Sequence, residues 1–332
     1  MSEYLEIGKL PNELLENYIL SKIKINRPEV TLGGDVGQDT AVLNMGEYLT
    51  VLSTDPITGA SGNLGHLGVN ISVNDIATQG AEAVGILLTL LLPPKTTEAF
   101  IQKTMEEVLQ ATDELGMSVV GGHTEITDAV TKPVLVTTVL GKAKGEEMPK
   151  KERIAPGYAV CMTKTAGLEG TAILATDHRG VQAHLEPEIL REAQELIHGT
   201  SVYREGRAAR KYRVGYMHDV TEGGIEGAIW EAAQATDWGM EVDKDAIPVH
   251  PATVAIGEFL DINIYRLISS GSMLMVLHPE DVAPLAEDLR AQGIPLHQIG
   301  TIVEGGKISY KSGQLIPPPG SDELYAALSK LQ

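Results

Sequence analysis

The sequence predicts a mixed α/β fold in two domains. Apolar runs typical of strands alternate with amphipathic patterns typical of helices along all 332 residues. Near the middle, the stretch KGEEMPKKERIAPG at 144–157 is charged, contains proline and shows no periodicity. Because a chain of this length can bury two hydrophobic cores, we place the boundary in this stretch and expect domains at 1–150 and 151–332.

The elements of the first half follow from local patterns. The clearest is a helix at 96–116, in which Ile101, Met105 and Val108 share one face and Gly116 supplies the stop. The other predictions are a short helix at 11–23, two strands around an Asn-Met-Gly turn at 40–55, a buried helix at 65–81, and strands at 83–94, 117–126 and 133–143.

The second half repeats this alternation. The predictions are a strand at 158–164, helices through 165–211, a strand-to-helix turn at 214–233, and a strand–helix–strand unit within 271–305. We expect the sheets to be mixed. In HDVTEGG, Asp219 or Thr221 is predicted as the helix N-cap, with Gly223 and Gly224 in the first turn. Bare backbone N–H groups there can bind an anion, but from these residues alone an ordinary capped helix is the preferred interpretation.

Composition limits the possible partners. With 26 Lys and Arg against 45 Asp and Glu, the net charge is −19, which argues against a nucleic-acid partner because phosphates require a basic face. ATP needs only a local nest of N–H groups and a cation. No apolar run approaches the ~20 residues that span a bilayer, and no signal-peptide pattern opens the sequence, so we expect a cytoplasmic protein. Cys161, the single cysteine, lies in an apolar run and indicates a buried structural thiol.

Carboxylates stand at structurally unusual points of the first half. Asp39 follows a glycine turn, Asp55 ends a strand, and Asp75 lies inside an apolar helix beside Asn74. Mg²⁺ prefers oxygen ligands of this kind, and a buried carboxylate must find a cation or hydrogen-bond donors. Turn and strand-end chemistry explains Asp39 and Asp55 as well, and Asn74 and Asp75 could instead face solvent.

A glycine pair leads into a second polar group. Gly121 and Gly122 follow an apolar strand and precede His123, Thr124 and Glu125. A phosphate-binding turn is one interpretation. A tight turn with a loop histidine is the other.

Six motifs, in this order, resemble one superfamily. It holds aminoimidazole ribonucleotide synthetase (AIR synthase), the hydrogenase-maturation carbamoyl dehydratase, thiamine-monophosphate kinase and selenophosphate synthetase. The motifs span about residues 30–305 and read VGQDTAVL, STDPITG, VNDIATQGA, VVGGHTE, HDVTEGG and ISSGSMLMV. The resemblance implies an N-terminal domain that binds ATP and Mg²⁺ and dimerises into a β-barrel, and a C-terminal α/β domain that lines the active-site cleft. It also implies phosphoryl transfer from ATP, which depends on positioning and charge neutralisation.

The resemblance also implies roles for individual residues. Metal-bound phosphates would lie at Asp39, Asp55 and Asp75, and the catalytic residues would be Asp75, His123 and Glu125. Nucleotide contacts are implied for Gly33, Gly34, Gly37, Asn74, Gly121, Gly122, Thr124, Asp219, Gly223 and Gly224.

The sequence lies nearest the hydrogenase-maturation branch but departs from its pattern. It ends in LYAALSKLQ without the cysteine that carries that enzyme's substrate, so we expect dehydration on its own tail to be unavailable. PITGASG replaces the Gly-Val-Gly-Thr-Lys segment of the ribonucleotide synthetase, and Gln38–Asp39 replaces the paired aspartates of the kinase. The resemblance therefore implies an ATP- and Mg²⁺-dependent homodimeric enzyme that activates an oxygen of an unidentified acceptor, with a possible protein partner. The alternatives are a small-molecule kinase and a non-catalytic nucleotide-binding protein.

Overall fold

A computed structural model describes residue 5 and residues 10–35, 37–58 and 63–330 of the chain. Within these ranges the chain forms two six-stranded mixed β-sheets with helices packed on them, which confirms the predicted α/β class. The helices are α1 Asn12–Tyr18, α2 Leu64–Ala77, α3 Glu98–Leu115, α4 Leu168–Asp177, α5 Arg179–His184, α6 Pro187–Glu195, α7 Tyr203–Ala209, α8 Gly224–Thr236, α9 Pro251–Leu260, α10 Pro279–Arg290 and α11 Glu323–Ser329. None of these described helices is long and apolar enough to cross a bilayer.

The strands of the first sheet are β1 Val30–Leu32, β2 Ala41–Asn44, β3 Leu49–Ile57, β4 Glu82–Leu92, β5 Ser118–Ile126 and β6 Val134–Ala143. Their order is β1-β2-β3-β6-β4-β5, and only β4 and β5 run parallel. Helices α2 and α3 pack against this sheet through a core that includes Val51, Ile76 and Val108. Both Asn74 and Asp75 of α2 are buried, so the alternative that they face solvent is wrong.

The second sheet holds β7 Ala159–Thr163, β8 Val214–Asp219, β9 Gly239–Val242, β10 Met273–Leu277, β11 Leu296–Val303 and β12 Ile308–Tyr310, in the order β12-β9-β11-β7-β10-β8. Strand β7 lies between β10 and β11 and is antiparallel to both. Its side chains alternate between two cores. Val160 and Met162 join the core beneath α8, whereas Ala159 and Cys161 join the core beneath α7 and α10. The sheet is therefore covered on both faces, which explains why β7, β8 and β10 are buried at every residue.

Side-chain hydrogen bonds connect the first half of the chain to the second half. The Nδ2 atom of Asn74 donates to the carbonyl of Thr200 at 2.7 Å, and its Oδ1 accepts from the backbone N–H of Val202 at 2.8 Å. The Tyr216 hydroxyl donates to the carbonyl of Gly37 at 2.7 Å. Because Asn74 and Tyr216 are both buried, these bonds hold α2 against the segment before α7 and the loop before β2 against β8.

The predicted start of α8 is wrong. The helix begins at Gly224, and its N-cap position is Gly223 with φ +87°, without a side-chain capping bond. Asp219 is instead the last residue of β8 and is buried at the end of that strand. Because Asp219 does not cap the helix, its carboxylate remains available to other groups.

Candidate functional site

A cleft of about 860 Å³ lies where the first sheet meets the second half of the chain. Strand β3 and the loop before β2 form one side, and α4, the turn after β8, the loop before β10 and α11 contribute the other. The residues that line it are Gly34, Gln38, Asp39, Thr40, Ala41, Leu52, Ser53, Thr54, Asp55, Pro56, Ile57, Thr58, Leu67, Ile71, Asp75, Thr138, Glu169, Ile173, Asp219, Thr221, Glu222, Ile268, Ser270, Leu324, Tyr325 and Leu328. None of these described lining residues is Lys, Arg or His.

Four aspartates converge on this cleft from four elements. Asp39 comes from the loop before β2, Asp55 from β3, Asp75 from α2 and Asp219 from the end of β8. Three of them are the predicted metal-binding carboxylates, and the structure places them together. Such a set of oxygen atoms, drawn from distant parts of a chain, suits Mg²⁺.

The pKa values of two of these aspartates, Asp219 and Asp75, indicate that a bound positive charge would stabilise the cluster. Neither Asp219 oxygen has a hydrogen-bond partner among the described residues, although both are buried. Burial and the nearby Asp39 carboxylate raise the pKa of Asp219 to about 8. Burial, together with Asp219 and Asp55, raises the pKa of Asp75 well above its ordinary value. A cation bound between these groups would remove this cost, so the residues fit a divalent metal.

Two polar side chains that the sequence analysis did not select organise the cluster. The Ser53 hydroxyl donates to Asp75 and lies 3.4 Å from Oδ2 of Asp55. The His218 ring is buried between two carboxylates, with Nδ1 2.7 Å from Asp39 and Nε2 3.0 Å from Glu231. Burial alone would lower the pKa of His218, but Asp39 and Glu231 outweigh it and raise that pKa well above its usual range. Ligand atoms of Asp39, His218 and Asp219 all lie within 4.8 Å of one another.

The polar group after the glycine pair does not join the cleft of the same chain. Strand β5 is the edge strand of the first sheet, and its residues 120–126 are exposed. There His123 Nε2 lies 3.0 Å from Glu125 Oε2, and Thr124 is the residue between them in the sequence. Gly121 and Gly122 are strand residues, and a Cβ at Gly122 would collide with the carbonyl of Leu88 on β4. The pair therefore has a structural reason in strand pairing.

The other predicted nucleotide contacts divide between the cleft and its supports. Gly34 lines the cleft, whereas Gly33, Gly37, Gly223 and Gly224 are not among its described lining residues. Gly37 has φ +70°, and a Cβ there would meet the Glu231 carbonyl at 3.1 Å, so it lets the loop approach α8 closely. Both polar atoms of Asn74 are used in backbone bonds away from the cleft.

The sequence carried a signal for two of the four polar residues that the sequence analysis did not select. His218 directly precedes Asp219 at the end of a buried strand, and Glu169 is a carboxylate within the apolar segment AGLEGTAIL. That is the same signal that singled out Asp75. Ser53 and Glu231 carry no local signal, because their roles depend on residues distant in sequence.

Comparison with known proteins gives a consistent result. The family model described as "AIR synthase related protein, N-terminal domain" matches residues 37–143. The model of the C-terminal domain of the same family matches residues 155–312. A hydrogenase expression/formation protein of Methanocaldococcus jannaschii is 24% identical over 289 residues, covering 85% of this chain and 84% of that protein. The carbamoyl dehydratase HypE of Rhizobium leguminosarum is 24% identical over 251 residues, covering 74% of this chain and 70% of that protein.

Two solved structures share the fold. A chain of the HypE–HypF complex superposes with a TM-score of 0.71 at 17% identity, covering 86% of this chain and 94% of that chain. A structure described as AaThiL complexed with AMPPCP and TMP superposes with a TM-score of 0.71 at 18% identity, covering 86% and 91%. At these identities the likeness concerns the fold alone.

Proposed function

Because the chain belongs to the AIR synthase related protein family, we propose that it is an ATP- and Mg²⁺-dependent enzyme that transfers a phosphoryl group to an oxygen of an acceptor. The single observation that carries this proposal is the convergence of Asp39, Asp55, Asp75 and Asp219 on one cleft. The buried, unpartnered Asp219 carboxylate supports a bound cation. The bound AMPPCP of the AaThiL structure supports a nucleotide in this fold.

In this proposal the aspartates hold Mg²⁺ and the side chains around them hold the aspartates. Mg²⁺, when bound, supplies neutralisation of phosphate charge. His218 fixes the Asp39 carboxylate, and the Ser53 hydroxyl fixes that of Asp75. The cleft wall positions the phosphates against the acceptor, so the protein needs no nucleophile of its own. The one cysteine is buried in β7, in agreement with that view.

A catalytic or nucleotide-binding role on strand β5 would require a second protomer. The residues concerned are His123, Glu125, Gly121, Gly122 and Thr124. Strand β5 has no neighbour on its outer edge among the described residues. Exposed apolar side chains on β4, β5 and β6 support an interface there, and they are Val84, Leu87, Val120, Ile126 and Leu140. A homodimer would cover them and bring His123 and Glu125 to the partner's nucleotide. Sedimentation equilibrium tests this, since a mass of a single chain at all concentrations would contradict it.

A protein partner is a further part of the proposal. HypE forms a complex with HypF in one solved structure of this fold. The net charge of −19 suits a partner that presents a basic face.

The experiment for nucleotide binding is a calorimetric titration with AMPPCP, with and without Mg²⁺. We expect binding that requires Mg²⁺ and weakens at least about tenfold in Asp39→Asn and Asp75→Asn, since each removes a charge-assisted contact. The exposed Asp245→Asn is the matched control and should bind as the wild type does. Absence of binding with Mg²⁺, or unchanged affinity in both cluster variants, would contradict the proposal.

Turnover separates the enzyme from a non-catalytic nucleotide-binding protein. ATP hydrolysis is measured with and without candidate acceptors that carry an amide oxygen or a hydroxyl. Acceptor-stimulated release of ADP supports the enzyme. Tight Mg²⁺-dependent binding without release of ADP under any condition favours the non-catalytic alternative.

A further inference from the structure

The end of the cleft away from Asp39 has its own polar side chains. Glu169 lies in the first turn of α4 and lines the cleft. It is 4% exposed, and its Oε2 atom is buried without a hydrogen-bond partner among the described residues. Ser270 lies beside the same carboxyl and favours its charged form, while the Oε2 atom has no partner among the described residues.

The wall around Glu169 is tied together by Asp322. Its Oδ2 accepts from the backbone N–H of Gly223 at 2.7 Å, and its Oδ1 accepts from those of Ile268 at 3.2 Å and Leu324 at 2.8 Å. The Asp322 carboxylate therefore joins the turn after β8, the loop before β10 and the start of α11. Its oxygens are satisfied by these bonds and do not compensate the unused oxygen of Glu169.

Glu222 and α11 complete this end of the cleft. The Tyr325 hydroxyl donates to Glu222 Oε1 at 2.9 Å, and Leu324 and Leu328 of the same helix line the cleft with Ile173 of α4. The result is an apolar wall with carboxylates of Glu169, Glu222 and Asp322 around it. The carboxylates of Asp322 and Glu222 act on Glu169 electrostatically, whereas the pKa of Asp75 responds to Asp219, Asp55 and Asp39. The two acidic groups are therefore separate.

A lysine lies toward the Asp39 end of the cleft. Lys151 Nζ lies 3.3 Å from Gln38 Oε1, and the Asp39 carboxylate interacts favourably with its charge. No Lys, Arg or His is among the described residues that line the cleft. An anionic acceptor placed against Glu169 would meet carboxylates and no compensating cation.

We infer that Glu169 marks the acceptor subsite and binds a group that donates N–H bonds, such as an ammonium or a carboxamide, on an apolar body. The inference rests on the proposed function for the identity of the cleft, and it names the acceptor class. The unused Oε2 accepts the N–H bond, and Ile173, Leu324 and Leu328 contact the apolar part. Phosphorylated and carboxylate-bearing acceptors are excluded by the same charge distribution.

A matched fragment series tests the order of affinities on the wild-type protein. The probes are butylammonium, butyramide, butyrate and butyl phosphate, titrated by ligand-observed NMR with and without Mg²⁺ and AMPPCP at about pH 8.5, where the Glu169 carboxyl, with a pKa of about 7, is ionised. We expect butylammonium or butyramide to bind at least about tenfold more tightly than butyrate and butyl phosphate. Only the first two can donate an N–H bond to the carboxylate, and a hydrogen bond to a charged group changes affinity by at least that factor. The first two probes distinguish a cationic from a neutral donor. Tighter binding of either anion, or no binding of any probe, overturns the inference.

A variant assigns the binding to Glu169. Glu169→Met keeps the length of the side chain and removes the acceptor, and it should weaken the preferred probe at least about tenfold. Exposed Glu304→Gln is the control and should leave that affinity unchanged. Unchanged binding in folded Glu169→Met overturns the inference, and the wild-type order of affinities decides the matter if that variant does not fold. AMPPCP titration of the same samples tests the proposed function separately, so failure of one leaves the other standing.

Discussion

The Nδ1 atom of His218 lies 2.7 Å from Oδ2 of Asp39, although 179 residues separate them in the chain. On its other side the ring contacts Glu231 of α8 at 3.0 Å. One buried imidazole thus connects the end of β8, helix α8 and the loop that carries a proposed metal ligand. The proposed metal site and the packing of β8 against α8 consequently depend on the same side chain.

Replacement of His218 should therefore lower stability. His218→Ala leaves Asp39 and Glu231 without the group between them, and breaking a buried ion pair in this way costs about 3–5 kcal/mol. Urea unfolding measures the change. The exposed His198→Ala is the control, with an expected effect near zero. Equal stability of the two variants would show that the buried contact contributes nothing.

Asp219→Asn should act in the opposite direction. Without Mg²⁺, the variant removes an unpartnered buried carboxylate, so we expect it to be at least as stable as the wild type and up to about 3 kcal/mol more stable. With Mg²⁺, the wild type should gain stability and the variant should not. Thermal unfolding with and without Mg²⁺ measures both effects, and equal stabilisation of the two proteins by Mg²⁺ would show that Asp219 is not a ligand of the proposed metal site.

The Glu169 carboxyl should make stability depend on pH. Burial raises its pKa from 4.5 to about 7, so between these values the folded protein holds a proton that the unfolded chain has released. Stability then falls as pH rises through this window. Glu169→Gln removes this dependence, and the difference from the wild type should reach about 3 kcal/mol by pH 8, at about 1.4 kcal/mol per pKa unit. Urea unfolding from pH 4 to 8 measures it. Glu304→Gln, an exposed site, should reproduce the wild-type curve.

Asn74→Ala separates a structural role from a nucleotide contact. The change leaves the buried Thr200 carbonyl and Val202 N–H without their partner, and we expect a loss of about 2–4 kcal/mol in unfolding free energy. Exposed Asn17→Ala should have little effect. Affinity for Mg²⁺ and AMPPCP, measured well below the unfolding temperature, should be retained. A tenfold weaker affinity at unchanged stability would instead favour the nucleotide contact predicted from the sequence.

Cys161 should be inert in the folded protein. Burial raises the pKa of its thiol to about 12, so almost no thiolate forms near neutral pH. Labelling with a chromogenic disulfide at pH 8 should be at least about 100-fold slower in the native protein than in guanidinium, since the thiolate is the reacting species. Rapid labelling of the native protein would make Cys161 a candidate nucleophile.

Local pattern was sufficient for most secondary structure. The helix predicted at 96–116 is α3 at Glu98–Leu115, and the apolar strand predicted at 83–94 is β4 at Glu82–Leu92. The predicted N-cap of α8 was wrong. Asp219 and Thr221 have side chains that can cap a helix, but the chain passes through Gly223 in a left-handed conformation before the helix starts. A capping residue depends on where the preceding strand ends, and pairing with β10 decides that position.

The sequence by itself determined the fold class, the mixed sheets and the selection of Asp39, Asp55 and Asp75, because apolar periodicity and acidic residues in apolar surroundings are local properties. Only the tertiary structure decided which of the selected residues meet. It brought Asp219 into the aspartate cluster, placed His218 against Asp39, and left His123 and Glu125 on the exposed edge strand β5. The physical reason is that burial and charge–charge distance arise from the pairing and packing of strands far apart in sequence, and these two quantities set the chemistry of a carboxylate.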